Sequence, residues 1–157
     1  MTGPNPTDRR KAGSKHQVVS DAQGTPLAAR VTAANVPDVT QLTRMVDAIP
    51  PVRGKRGAPR RRPQAIQADR GYRSHRNRMA MWIRNIEPII PEDRRAAEEV
   101  HGSGLGTTRW VIERTIAWLH QHRRLRVRYE RTAEIHQAFL SLGCILICFN
   151  KLKPLLC

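Results

Sequence analysis

The sequence is poor in features that would place it outside the cell or in a membrane. Its three cysteines, Cys144, Cys148 and Cys157, fall at the end of the chain and do not make a disulfide framework. A reducing cytoplasm is the expected compartment. The N-terminus is polar and lacks the charged-then-apolar pattern of a signal segment. The longest apolar stretch, Cys144 to Phe149, is too short to span a bilayer, so no membrane partner is expected. No internal repeat is apparent. Acid is also scarce: 13 acidic residues face 28 basic ones, for a formal net charge of +15. That imbalance points to a polyanionic partner, because each phosphate neutralised by Lys or Arg releases counterions. Nucleic acid is the first candidate, and a basic tail or ribosome-like protein is the alternative.

The length of 157 residues suits one domain with a real core. Residues 1–14 are rich in Gly, Pro and polar groups and read as a flexible lead. Residues 15–20 and 26–32 read as strands joined by the turn Asp21-Ala22-Gln23-Gly24. Asp38 is placed to cap a helix whose apolar face is Val39, Leu42, Met45, Val46 and Ile49. Pro50 and Pro51 end it. A basic loop follows over 53–63, too rich in Gly and Pro for regular structure. Residues 64–68 read as a strand ending at Asp69, and Arg70-Gly71-Tyr72 as a turn. Ser74 caps a helix to about Arg84, with Met79, Trp82 and Ile83 expected inward. Residues 86–90 read as an edge strand, because of Pro88. Residues 91–105 read as a mobile loop. A helix is expected from Thr107 or Thr108 to His122, then a basic connector over 123–131. The last helix, 134–151, is expected to bury Ile135, Ala138, Phe139, Leu142, Ile145, Leu146 and Phe149. Residues 153–157 form a tail. This order of elements describes an α/β sandwich with a mixed sheet, which a strand before residue 15 would complete.

Two acids stand out by position. Asp69 closes a strand, and carboxylates at such ends point into the crevice where α/β folds bind ligands. The plainer reading is a turn-forming Asp. Glu113 shares one narrow helical face with Gly106, Arg109 and His120. A carboxylate, a guanidinium and an imidazole in one row suit a metal and phosphate site; an ordinary solvated face with an Arg109–Glu113 pair is the alternative. Cys144 and Cys148 read as buried thiols. His16, His75, His101, His122 and His136 show no metal-ligand spacing.

The string as a whole resembles the C-terminal catalytic part of a DDE-type bacterial insertion-sequence transposase. Gly106, Arg109, Glu113 and His120 match the spacing of the Tyr-Arg-Glu-Lys signature, with Gly for Tyr and His for Lys. The segment from Trp110 to Leu125 is similar to the family's catalytic helix, and Ala68-Asp69-Arg70-Gly71-Tyr72 to its second-Asp motif. Gly13-Ser14-Lys15-His16, Asp21-Ala22-Gln23-Gly24-Thr25-Pro26-Leu27 and Asn35-Val36-Pro37-Asp38 match in the family's order.

The resemblance implies a ribonuclease-H-like domain over 15–152, lacking its first strand and the Asp that ends it. Asp8 lies in the flexible lead and Asp21 in a turn, so neither replaces that Asp. The implied activity is cleavage and transfer of DNA strands at insertion-sequence ends, with two Mg²⁺ ions held by three carboxylates. Asp69 and Glu113 are the implied catalytic and metal-binding residues. Arg109 is expected to orient Glu113 or bind phosphate, and His120 to bind phosphate. Arg60, Arg61, Arg62, Arg123, Arg124, Arg126 and Arg128 are expected to track the DNA backbone. Trp110 and Trp118 read as core rather than base-stacking residues. The chain alone is expected to be inactive, as a truncated or second-frame fragment. It would act on insertion-sequence ends and target DNA at the nucleoid, with an upstream-frame part or as a homo-oligomer. The alternative is a non-catalytic, basic DNA-binding remnant or regulator of the full enzyme.

Overall fold

The computed structural model describes residues 2–7, 9–54, 56–91 and 105–156. The expected loop over 91–105 lies almost wholly outside the described residues. The fold is mixed α/β, and the elements follow the expected order. Strands β1 (Gly3–Pro4), β2 (Ala12–Ser20) and β3 (Pro26–Ala33) form an antiparallel sheet. Helix α1 (Leu42–Asp47) follows a 3₁₀ turn, Asp38–Thr40. Strand β4 (Ala65–Gln67), helix α2 (His75–Ile83) and strand β5 (Glu87–Ile89) form a unit whose two strands are parallel. Helices α3 (Leu105–His120), α4 (Arg123–Arg126) and α5 (Ala133–Leu156) complete the chain.

The strands are divided between two sheets rather than joined in one. The chain forms two compact units, one from 1–36 and 107–157, the other from 37–106. Each has its own core. In the first, Leu119, Leu125, Leu140 and Ile147 pack with Val18, Ala29 and Val31 of the hairpin. In the second, Leu42, Val46, Ile66, Met81, Ile86 and Ile90 pack together.

The hairpin is longer than its β-branched residues suggested. β2 begins at Ala12 and pairs with Gly3–Pro4, inside the expected flexible lead, and α5 continues to Leu156, into the expected tail. At the β2–β3 turn, Asp21 Oδ1 accepts from the Gln23 and Thr25 amides at 2.9 and 2.7 Å. Gly24 has φ +81°, and a Cβ there would lie 2.8 Å from Thr115 Oγ1 on α3. Only glycine satisfies both the left-handed backbone and this approach. Thr115 Oγ1 donates to the Gly24 carbonyl at 2.9 Å, so the turn seats on the middle of α3.

In the second unit, Pro37 rather than Asp38 occupies the cap position of the 3₁₀ turn, and Gln41 precedes α1 without a side-chain cap bond. Leu42, Met45 and Val46 are buried as the helical spacing requires. Ser74 caps α2 by accepting from the Asn77 amide at 3.0 Å. Beyond its end, Asn85 takes φ +55° and the Ile86 amide donates back to the Met81 carbonyl, a left-handed stop.

Two expected apolar faces are corrected. α2 buries Asn77 and Met81, and leaves Met79, Trp82 and Ile83 at 45, 56 and 75% exposure. Polar anchors set this rotation. Asn77 Nδ2 donates to the Val39 and Tyr72 carbonyls, Arg78 to the Ile90 carbonyl, and Arg84 to both Asp47 oxygens. α5 buries His136, Leu140, Gly143 and Ile147, with Phe139 half-buried; Ile135, Ala138, Leu142, Ile145, Leu146 and Phe149 are exposed. Gln137 decides it: its side chain accepts from the Val31 amide at 2.8 Å and donates to the Ala29 carbonyl at 3.1 Å, holding that face on β3. Gly143 permits the closest approach, since a Cβ there would lie 2.8 Å from Leu125 and 2.9 Å from Leu119. On α3, Thr115 and Leu119 are the fully buried side chains among those described.

Candidate nucleic-acid and metal site

Asp69 stands just past the C-terminal end of β4, with φ −68° and ψ 163°. Its Oδ1 accepts from the Arg70 amide at 2.7 Å, and the residue is exposed. The 3₁₀ turn Arg70–Tyr72 packs against the turn Asp38–Thr40. Burial, then the nearby charges of Asp38 and Asp69, push the Tyr72 hydroxyl up to about 12. The second unit therefore gathers two carboxylates about one tyrosine. Asp38, expected as a helix cap, stands instead near Tyr72, a neighbourhood that its local motif does not signal.

Glu113 belongs to the first unit. Its Oε1 pairs with Arg109 Nε at 2.8 Å, and both side chains are about three-fifths exposed. The expected i,i+4 pair is therefore present on an open helical face. Next to Glu113 in the chain, Arg114 lies 4.4 Å from the Trp110 ring centre and 4.8 Å from that of Trp118, and donates to the Gln23 carbonyl. Trp118 joins the core, whereas Trp110 is half-exposed and covers Arg114. Arg60, Arg61 and Arg62 are exposed; Arg60 bridges to Val52, and Arg62 donates to the Arg84 carbonyl.

The basic connector has internal work for several of its arginines. Arg124 pairs with Glu130 at 2.7 Å and lies over Phe139. Arg128 donates to the Glu130 carbonyl, and Arg123 to the Tyr129 hydroxyl. Burial opposes charge on Glu130. Hydrogen bonds from Arg124, His136 and local backbone amides nevertheless hold its carboxyl below the ordinary range.

Behind Glu130 lies a chain that the sequence did not reveal. His136 Nδ1 is 3.1 Å from Glu130 Oε2, and His136 Nε2 is 3.0 Å from His16 Nε2. The His120 ring stands 5.7 Å from that of His16. Residues 16 and 136 are 120 positions apart, so no local spacing signals the contact. Glu130 thus faces one ring nitrogen of His136 and His16 the other, and the tautomers set which of the two Nε2 atoms donates. Burial, then the charges of His136 and His120, lower the His16 pKa to about 4 from its ordinary 6.5.

Acid stability depends on this histidine. The unfolded chain takes up a proton near pH 6.5, whereas the folded one resists until about pH 4. The stabilisation is complete above pH 6.5 and is lost as pH falls toward 4. Partial solvation of the ring reduces the effect to about 2 kcal/mol. Thermal melts should show Tm falling between pH 7 and pH 5. His16→Gln should flatten that dependence; an unchanged slope would rule out His16 as its source.

The family described as Transposase DDE domain matches residues 2–149. The chain belongs to this DDE transposase family. A relative from Burkholderia cepacia, described as "Putative transposase for insertion sequence element IS402", is 62% identical over 152 residues, covering 97% of this chain and 70% of the relative. No solved structure matches the chain. Membership in this insertion-sequence transposase family agrees with the ordered motifs around Asp69 and Glu113.

Proposed function

We propose that this chain carries two of the three metal-binding carboxylates, Asp69 and Glu113, and the DNA-holding surface of an insertion-sequence transposase. The observation that carries this reading is the position of the family's Asp motif: an exposed carboxylate at the C-terminal end of a parallel strand. The family typically uses divalent metal, and exposed hard carboxylate oxygens suit Mg²⁺, which takes few carboxylates plus waters and phosphate oxygens. Among the described residues no three His, Cys, Asp or Glu side chains come together to hold an ion. Asp21, the acid after β2, is occupied in its turn. A third carboxylate, at the end of a strand that completes a ribonuclease-H-like sheet, is therefore part of the proposal.

When bound, two metal ions activate the attacking oxygen and stabilise the leaving one. The chain's own residues do the rest. Arg109 holds Glu113 in position through their ion pair, His120 binds a phosphate beside it, and Arg60, Arg61, Arg62, Arg123 and Arg126 bind the backbone. Arg124 and Arg128, tied to Glu130, shape the connector that presents the others. The site of action is the cytoplasm, at the nucleoid. A second reading, a DNA-binding regulator without catalysis, is favoured by the lack of a three-acid cluster among the described residues.

The test common to both readings is duplex binding by the purified chain, followed by fluorescence anisotropy at low salt. Binding with little sequence preference is expected. No binding at low salt would eliminate both, and metal-dependent cleavage by the chain alone would overturn the need for a further carboxylate.

A further inference from the structure

We propose that the solvent-facing side of α5 is a self-association seam, on which a second copy of this chain packs as an antiparallel helix. The seam stands independently of which residues hold metal. Ile135, Ala138, Leu142, Ile145, Phe149 and Leu152 are all exposed, and they follow one another in alternating steps of three and four residues. That spacing is the a/d pattern of paired helices, in which every position returns to the same seam after seven residues. The opposite face of α5 is already used, bonded to β3 through Gln137 and packed against Leu119 and Leu125. A helix apolar on both sides belongs between two layers, and among the described residues the hairpin supplies one of them.

The occupant and its direction follow from the seam itself. With an antiparallel copy centred between residues 143 and 144, Ile135 meets Leu152 of the second copy, Ala138 meets Phe149, and Leu142 meets Ile145. The smallest seam residue thus faces the largest, as close packing requires. The same centre sets Glu134, exposed at one end of α5, against Lys153, exposed at the other. Opposed helix dipoles add to this arrangement. A parallel copy would instead stack Ala138 on Ala138, leaving a void, and place Glu134 beside Glu134. About half of each large seam residue is accessible. Together they offer on the order of 500 Å² per copy, so a pair covers about 1,000 Å², the size at which specific interfaces begin. The helix is also long and apolar enough to cross a bilayer by length and composition. Its hairpin-bonded face and its buried His136, joined to Glu130 and His16, favour a protein partner over lipid.

The experiment is sedimentation of the purified full chain in buffer of high salt, where repulsion between copies of charge +15 is screened. The expected mass is twice 17.9 kDa at about 100 µM. Leu142→Glu alone and Ile145→Lys alone should each halve that mass, with helix content unchanged by circular dichroism. Mixing the two variants should restore the doubled mass, because the carboxylate introduced at position 142 of one copy then meets the ammonium introduced at position 145 of the other. A monomeric wild-type chain at about 100 µM, whether or not it binds lipid vesicles, would overturn the proposal outright. A doubled mass that survives Leu142→Glu would move the interface away from α5, and failure of the mixture to associate would overturn the antiparallel pairing.

Discussion

Asp69→Ala and Glu113→Ala should each abolish cleavage of insertion-sequence ends by a polypeptide that supplies the third carboxylate. The chain as it stands should show no cleavage or strand transfer with Mg²⁺ or Mn²⁺. Adding an upstream segment that ends a strand in Asp should rescue activity, and either alanine variant should then remove it. The magnitude follows from the role of the ligands. Each carboxylate in a two-metal site helps place ions that serve both the attacking and the leaving oxygen. A loss of about 4 kcal/mol of transition-state stabilisation lowers the rate roughly a thousandfold. Asp69 and Glu113 are both exposed, so their truncation should leave the fold intact. Unchanged thermal melts would separate lost chemistry from lost structure. Activity that persists in Asp69→Ala would move the second carboxylate elsewhere, with Asp38 next in line through its place beside Tyr72.

DNA affinity should fall by several orders of magnitude as salt rises, and the arginine-rich loop should own a countable share of that fall. The logarithm of affinity drops with the logarithm of salt by about 0.9 for each phosphate neutralised on duplex DNA. Arg60, Arg61 and Arg62 are exposed together. Replacing all three with alanine should therefore reduce the slope by about 2.7 if each contacts one phosphate. Arg124→Ala should behave differently. Its partner Glu130 has a side chain only 4% exposed, so the change takes the guanidinium from a buried carboxylate and lowers stability more than it alters the slope. Binding titrations from low to physiological salt, paired with thermal melts, distinguish the two effects. An unaltered slope in the triple variant would remove the loop from the interface.

The sequence disclosed what short-range rules govern. The hairpin turn at Asp21–Gly24, the cap at Ser74 and the strand ending before Asp69 were all legible, because each is set by residues within a few positions of one another. The Arg109–Glu113 pair was legible for the same reason. The rotation of α2 and α5 was not. In both helices apolar residues surround the axis, and the buried side is chosen by amides that reach distant carbonyls: Asn77 to Val39, and Gln137 to Ala29. The His16–His136–Glu130 chain was hidden in the same way, since its ends meet only after β2 and α5 have packed. Transposase family membership was visible in the order of the motifs; whether Asp69 and Glu113 act together depends on more than either local motif encodes.

The discontinuous first unit constrains the order in which the protein comes together during synthesis. The β2–β3 hairpin emerges early, but Gln137, which bonds to its edge at Val31, lies 106 residues later. The segment 37–106 is continuous and has its own apolar cluster. It can condense while the hairpin still waits for α5. At about 5–20 residues per second that wait lasts on the order of ten seconds, with the apolar side of the hairpin uncovered. A nascent chain that stalls before α5 is thus left with the surface that the finished molecule most needs to hide.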